Sequence, residues 1–406
     1  MSCTDDMLAV DDGEAWRRLE ALADQLTRQG DLRTVSWRRA FTRVRRHVFL
    51  PSYLHDEEPG SIPARWRVVN GANLEDRDEW INAVYSDRTL ITDLKGQPLP
   101  AEHGGGTHPI VTSSSTLPGL MLRMLEDLDI GDDMRVLEIG TGTGYNAALL
   151  SERLGDRQVT SIDIDPDLIA SASRHLAIQG YHPHLVAGDG RAGVPDRAPH
   201  DRVIATCSVD RIPYAWVEQT QPGGKIMTNL QGPLMYHALA LLTVTDHGTA
   251  TGTFLPKGAS FMRARHDPNL PFDHAVQIAR PVDGDTSDTR RDPASLHHNT
   301  AWGFIAQACL SDAAFRLVIV DDEGNLGTEI ATPDGSWAMV WHTPDNGRYH
   351  VSQAGPRRLW DILETTHQSW TDTGQPGWDR CRLTVTRDQQ RISIDGADNQ
   401  LDWPMS

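Results

Sequence analysis

Residues 136–145 read Val136-Leu-Glu138-Ile-Gly140-Thr141-Gly142-Thr-Gly144-Tyr145: an apolar run interrupted by one acid, then glycines at alternate positions. A strand that ends in such a turn and opens a helix makes a cradle. Glycine lets backbone approach a ligand closely, and a helix N-terminus presents free N–H groups. A dinucleotide fingerprint of the form G-x-G-x-x-G needs a small residue at 145, where Tyr145 stands. Glu138 opposes a pyrophosphate but suits a cationic sulfonium and an amino group. A purely structural turn is the remaining alternative. Asp163, 19 residues beyond Gly144, can accept hydrogen bonds from both ribose hydroxyls. Asp189, within Gly188-Asp189-Gly190, can accept one from an adenine amino group. Either aspartate alone could be a cap or turn residue. Their joint spacing with the glycine turn points to a nucleoside-bearing cofactor.

Strands and helices must alternate to position these groups. Arg135–Ile139 reads as a buried strand and Tyr145–Leu154 as a helix. Val159–Asp163 is a strand and Pro166–Gly180 a helix, with Pro near its start and Gly at its end. His184–Ala187, Asp201–Thr206 and Gly224–Asn229 complete a parallel, doubly wound pattern. Upstream, Asp12 is expected to cap a helix over Glu14–Gln29, with Trp16, Leu19, Ala23 and Leu26 on its apolar face and Gly30 beyond its end. Further helices are expected at Ser36–Arg46 and Pro118–Asp129, and a strand at Arg65–Asn70. Residues 91–111, with Gly96-Gln97-Pro98 and His103-Gly-Gly-Gly-Thr-His108-Pro109, read as a loop. Two histidines with no third ligand nearby do not make a metal site, and no metal is expected. Residues 283–298 are polar and read as a linker or long loop. Beyond it come strands at Phe315–Val320, Trp337–Trp341 and Arg382–Thr386 and a helix at Leu359–Trp370.

The 406 residues carry 38 basic and 56 acidic side chains, a net charge of −18. That balance repels a nucleic-acid backbone, so nucleic acid is not an expected partner. Nine arginines and three acids lie between Trp16 and His47, either a solvated helix face or a dock for an acidic partner. The four cysteines, Cys3, Cys207, Cys309 and Cys381, lie far apart and suit a reducing cytoplasm. The acidic N-terminal stretch lacks the apolar region of a signal peptide, and no run is long enough to span a membrane. Seven of the twelve tryptophans fall in the last 105 residues, which points to a second core or a peptide-gripping surface.

An acid followed by G-x-G-x-G is similar to the first motif of S-adenosylmethionine-dependent methyltransferases. Four further segments narrow the likeness: Arg43-Val-Arg-Arg46-His47-Val-Phe49-Leu-Pro51, Tyr85-Ser-Asp87-Arg88-Thr-Leu90, Thr206-Cys-Ser208-Val-Asp-Arg-Ile212-Pro213 and Phe254-Leu-Pro256. In this order they resemble the protein-L-isoaspartyl O-methyltransferases over roughly residues 36–262. The resemblance implies a Rossmann-like class I methyltransferase fold, here with N-terminal helices and an additional C-terminal α+β domain. The expected divisions are 1–82, a helical region with an insertion; 83–265, the methyltransferase core; and 266–406, an accessory domain that binds peptide.

The resemblance also assigns roles. S-adenosylmethionine would contact Ser114, Ser115, Glu138, Gly140, Thr141, Gly142, Gly144, Asp163, Ile164, Asp189 and Gly190. Tyr85, Asp87, Arg88, Thr206 and Ser208 would face the substrate. The family's Ser-x-Pro motif falls on Thr116-Leu117-Pro118, so threonine stands where the family has serine, and Thr116, with Ser115 beside it, is the expected catalytic hydroxyl. A one-turn register shift would put Ser113 there instead. The long segments 52–80 and 91–111, the C-terminal extension and Gly355-Pro-Arg-Arg-Leu-Trp360-Asp resemble methyltransferases that mature graspetides, lanthipeptides and lasso peptides. That subgroup implies methylation of an aspartate carboxylate in a ribosomal precursor peptide, already cyclised, with the ester closing to an aspartimide. Repair of isoaspartyl residues in damaged proteins is the alternative. A scaffold that has lost catalysis is a third reading, against which Glu138, Asp163, Asp189 and the Thr116 hydroxyl all speak.

Overall fold

The computed structural model describes residues 10–59, 64–98, 107–266, 284–319, 324–394 and 401–405. Two compact units emerge. The first comprises residues 1–207, 218–227 and 261–273; the second comprises 208–217, 228–260 and 274–406. Of the two expected boundaries, 82/83 lies inside the first unit, and near 265/266 the chain divides differently, with residues 228–260 in the second unit and 261–273 in the first.

The first unit begins with α1 (Asp12–Gln29) and α2 (Val35–Arg43). Asp11, one residue before the expected cap, accepts from the Glu14 N–H, and Gly30 closes the helix at φ 79°. The buried face of α1 is Ala15, Leu19, Leu22, Ala23 and Leu26. Trp16, expected on that face, is 56% exposed. The arginines of this region are largely paired: Arg18 with Glu14, Arg33 with Asp127, Arg38 with Glu20 and Asp24, Arg43 with Glu152, and Arg45 with Asp12. This is the solvated-face reading of the basic run.

Next come β1 (Ser52–Asp56), β2 (Trp66–Asn70), α3 (Arg77–Val84), β3 (Leu90–Pro98) and β4 (Thr107–Ser115). The strands form an antiparallel sheet in the order β2-β1-β3-β4. The segment read as a loop is thus the hairpin β3–β4. Its glycines and prolines hid strands whose Ile91, Thr92, Ile110, Val111 and Thr112 favour extended backbone. Residues 99–106, with His103, lie outside the described residues.

The helix α4 (Pro118–Asp127) leads into β5 (Val136–Ile139), α5 (Tyr145–Leu154), β6 (Val159–Asp163), α6 (Pro166–Ile178), β7 (His184–Ala187) and β8 (His200–Val209). β8, β5, β6 and β7 pair in parallel in that order. β5 and β6 are buried along their whole length, the pattern of central parallel strands. After α7 (Tyr214–Glu218), residues 220–227 of β9 (Thr220–Gln231) return to this unit.

In the second unit, β10 (His237–Val244) and β11 (Ala250–Phe254) form a hairpin. The chain continues through β12 (Asp285–Thr289), α8 (Ser295–His298), α9 (Thr300–Cys309), β13 (Ala314–Ile319), β14 (Leu326–Ala331), β15 (Trp337–Trp341) and β16 (Tyr349–Ala354). It ends with α10 (Leu359–Asp372), β17 (Cys381–Val385), β18 (Gln390–Ile394) and β19 (Leu401–Met405). β11 pairs with β17, then β18 and β19 follow, all antiparallel, which is why residues 250–254 belong with the C-terminal chain. A five-stranded sheet has the order β12-β16-β15-β14-β13. The polar segment read as a linker contains β12 and α8. β12 is an exposed edge strand, so it needs no apolar side chains. Trp302 and Trp370 are buried 5.6 Å apart, packing as core residues.

Candidate active site

The C-terminal ends of β5, β6, β7 and β8 bring the expected groups together. Gly140, Gly142 and Gly144 all take positive φ (96°, 52° and 87°), which only glycine adopts freely. A Cβ on Gly140 would stand 2.7 Å from the Thr206 hydroxyl, and one on Gly190 would stand 2.4 Å from Ile139 Cγ2. Asp163 ends β6 almost wholly buried. One carboxylate oxygen accepts from the Gly142 N–H (2.9 Å), the other from the Asp165 N–H (3.1 Å). Burial raises its pKa, and those two donors work against the rise. Asp163 thus fixes the glycine turn. Each of its oxygens retains a lone pair for a further donor.

Asp189 receives the Arg191 side chain and backbone N–H (3.0 Å). Burial opposes its ionisation, but Arg191 outweighs this and holds it below the ordinary carboxylate range. Arg191 also bonds His266. The Cys207 thiol, close enough to feel Asp163 and Asp189, is pushed up to about 12, chiefly by burial. It is therefore a protonated thiol in the cradle wall. Ile164 and Gly190 are half-buried beside these acids.

Three expected contacts, at Glu138, Tyr85 and Ser208, are corrected, and a fourth, at Thr141, is confined to backbone. Glu138 is fully buried and accepts from Asn146 Nδ2 (2.7 Å) and Ser161 Oγ (2.5 Å). Desolvation lifts its pKa to about 7. It clamps α5 to β6 and presents no surface to a ligand. The Thr141 side chain also turns inward, to Ser161 Oγ at 2.6 Å, leaving only its backbone for the cradle. Tyr85 is buried with its hydroxyl on His47 Nδ1, and burial drives the pKa of that imidazole down to about 4. Ser208 is fully buried in the second unit, its hydroxyl donating to Gln231 Oε1 (2.8 Å).

Two further substrate candidates have structural work. Thr206 donates to the Gly140 carbonyl (2.7 Å), bracing the turn. Asp87 accepts from the Gly119 N–H (2.7 Å) and so caps α4. Arg88 is exposed.

The hydroxyl run at the end of β4 sorts by strand alternation. Ser113 is buried and accepts from Thr92 Oγ1 (2.8 Å). Ser115 is buried with Oγ 3.4 Å from Arg46 Nη2, so the expected second catalytic hydroxyl is engaged. Ser114 and Thr116 are half-buried, and among the described residues neither hydroxyl makes a hydrogen bond. A Cβ on Gly142 would stand 3.8 Å from the Ser114 carbonyl oxygen, so this strand end runs beside the glycine cradle.

Sequence reasoning missed Arg46. Arg46 stands in a motif that assigns it no role, yet its fully buried guanidinium reaches carbonyls on both loops beside the site. The signal available was its place in a segment that is otherwise apolar at Val44, Val48 and Phe49. No group of three or more His, Cys, Asp or Glu among the described residues could hold a metal ion. No helix among them is long and apolar enough to cross a membrane.

The cradle, the strand-end aspartate and the absence of room for a Cβ fit the nucleoside and amino-acid parts of S-adenosylmethionine. A model of the protein-L-isoaspartate(D-aspartate) O-methyltransferase family matches residues 76–239. The protein-L-isoaspartate O-methyltransferase of Thermococcus sibiricus is 30% identical over 224 residues, covering 54% of this chain and 80% of that protein. Protein-L-isoaspartate O-methyltransferase 1 of Nitrosospira multiformis is 32% identical over 193 residues, covering 47% and 76%. In fold, the chain is similar to a solved protein-L-isoaspartate O-methyltransferase, with a TM-score of 0.51 at 21% identity, over 93% of this chain and 99% of that one.

Proposed function

Because this chain belongs to the protein-L-isoaspartate(D-aspartate) O-methyltransferase family, and so is an S-adenosylmethionine-dependent O-methyltransferase, we propose that it esterifies an isoaspartyl carboxylate of a polypeptide, with Thr116 orienting the acceptor. The observation that carries this reading is the unengaged Thr116 hydroxyl beside the glycine cradle, between Ser113 and Ser115 whose hydroxyls are taken. S-adenosylmethionine, when bound, supplies an electrophilic methyl on its sulfonium. Asp163 would hold the ribose hydroxyls, Asp189 the adenine, and the backbone of residues 140–144 the amino-acid end.

A carboxylate with a reference pKa of about 4 is ionised at neutral pH, so the chain needs no general base. Thr116 donates a hydrogen bond to one carboxylate oxygen and leaves the other free to attack. The gain is one of alignment, since a reacting pair held at near-attack distance avoids much of the entropic barrier. The resulting methyl ester is a better acyl acceptor than the carboxylate. The next residue's amide nitrogen can close on it, forming C–N, breaking the ester C–O and releasing methanol with the amide proton. No side chain of the enzyme is required for that step.

A second reading keeps the chemistry and changes the acceptor to an ordinary aspartate in an already cyclised ribosomal precursor peptide, giving an aspartimide. One observation favours it: threonine stands where the family has serine, adding a methyl group beside the acceptor. The C-terminal extension is a weaker argument, because the fold likeness to a protein-L-isoaspartate O-methyltransferase extends over most of the chain. On either reading the partner is a polypeptide rather than nucleic acid or membrane, and the unpaired Cys207, Cys309 and Cys381 fit work in the cytoplasm.

The test is a Thr116 series at saturating S-adenosylmethionine, read as methyl ester by mass. Thr116→Ala and the near-isosteric Thr116→Val should lose about 10- to 150-fold in kcat, the equivalent of one hydrogen bond to a charged group. Thr116→Ser should retain most activity. Wild-type turnover by the valine variant would remove the hydroxyl from the mechanism and leave Ser114 as the remaining unengaged candidate.

A further inference from the structure

Arg46 is wholly buried, and its bonds join two segments distant in sequence. Nη1 donates to the carbonyls of Val84 (3.0 Å) and Ser86 (3.0 Å). Nη2 donates to the carbonyls of Arg88 (3.0 Å) and Thr116 (3.2 Å), with Ser115 O and Oγ each at 3.4 Å. The planar fork of a guanidinium is the side chain that can serve carbonyls on both segments at once. The Thr89 hydroxyl adds a tie between the same segments, accepting from the Leu117 N–H at 3.2 Å.

The energetics favour a purpose beyond packing. A buried cation carries a large desolvation cost, and a carboxylate partner normally offsets it. Here its hydrogen-bond partners are carbonyls and one hydroxyl; Asp87, itself bonded to the Gly119 N–H, acts on it only through charge and offsets less than burial costs. Burial lowers its pKa to about 10, so it remains a cation at neutral pH. A well-packed apolar side chain would hold two loops at less cost. What an apolar residue cannot do is bind the carbonyl of Thr116 and bring positive charge to the backbone of the residue read as orienting an anionic acceptor.

We propose that Arg46 is a positioning residue for methyl transfer, acting through Thr116: it fixes the backbone that aims the Thr116 hydroxyl and makes the acceptor end of the site electropositive. The inference rests on the reading of Thr116 given above.

The experiment is a double-mutant cycle of Arg46→Lys and Thr116→Val, with Thr89→Val as a milder probe of the same tie. It measures kcat and KM for an isoaspartyl peptide, S-adenosylmethionine affinity by calorimetry, and Tm. Arg46→Lys keeps the charge and loses the fork. It should lower kcat at least about tenfold at temperatures below its Tm, with cofactor affinity within about twofold of wild type. In the Thr116→Val background the same change should cost less than about twofold, because the two residues act on one group. Thr89→Val should lower kcat by about threefold with the same sparing of cofactor affinity, and it decides the matter if Arg46→Lys does not fold. Full kcat in Arg46→Lys, a parallel loss of cofactor affinity, or an undiminished effect in the Thr116→Val background overturns the inference. A valine variant with wild-type kcat overturns the reading of Thr116 instead.

Discussion

On the reading proposed above Asp163 does two things at once: its oxygens hold the N–H groups of Gly142 and Asp165, and their remaining lone pairs would take the ribose hydroxyls. Asp163→Ala removes a charged acceptor from two hydroxyls and should weaken S-adenosylmethionine binding by about 2–4 kcal/mol, measured by calorimetry, while the protein stays folded. Unchanged affinity would show that the ribose lies elsewhere. Glu138 supplies a prediction about pH. Its folded pKa of about 7 lies above the ordinary carboxylate value, so the folded state binds the proton more tightly than the unfolded one. That contribution is fully present below about pH 4.5 and is lost as pH rises through about 7. Glu138→Gln removes it. The stability difference, variant minus wild type, should therefore climb between pH 5 and 8 in urea melts, and a flat difference would mean that Glu138 is ionised throughout. His47 and His200, held neutral by burial with pKa values near 4, push the opposite way in both proteins and cancel in the difference. At this scale the sequence made the glycine turn and its two aspartates legible, because spacing along a strand–turn–helix fixes where they fall. It did not reveal that Glu138 faces Asn146 and Ser161. β5 is buried on both faces, so alternation carries no sign of direction. Nor could it separate Ser115 from Thr116 until the strand's facing was known.

The elements that alternate strictly, β5 through α6, were readable to within a residue or two. The hairpin β3–β4 was not, because Gly96, Pro98 and Pro109 punctuate residues that otherwise favour strands, and pairing with β1 supplies what local propensity lacks. Yet this hairpin leads directly into Thr116, the hydroxyl proposed to orient the acceptor, and further along it carries a strut. Lys95 on β3 bonds Asp165 at 2.6 Å, and Asp165 caps α6 while its N–H holds Asp163. Asp165 is buried, which opposes ionisation, but the Lys95 ammonium and the Asp167 N–H prevail and hold it below the ordinary range. Lys95→Met should therefore destabilise the protein by about 1–3 kcal/mol in denaturant melts, since a buried carboxylate loses its partner, and should also weaken cofactor binding through Asp163. A variant as stable as wild type, with intact cofactor affinity, would mean that the strut has no role in the cradle.

At the scale of the molecule, the family match ends at residue 239, and the chain beyond it builds most of a second unit with its own tryptophan-rich core. The net charge of −18 disfavours anionic polymers, leaving the acceptor polypeptide as the partner for which the first unit is equipped. The two acceptor readings differ in what is bound before methylation. A cyclised peptide surrenders less conformational entropy on binding than a linear one, so an enzyme built for it should prefer the ring to its open form. The most direct measurement sets the purified chain with S-adenosylmethionine against three acceptors: a linear isoaspartyl peptide, its aspartyl counterpart, and an aspartyl peptide closed into a ring. Products are read by mass before and after mild base, which cleaves esters but not N- or S-methyl groups. The account predicts a base-labile methyl ester on the isoaspartyl peptide, with little on the linear aspartyl one; preference for the ring instead would select the peptide-maturation reading of the same chemistry. A base-stable methyl group, or no transfer to any of the three carboxylates, would contradict carboxyl methylation at this site.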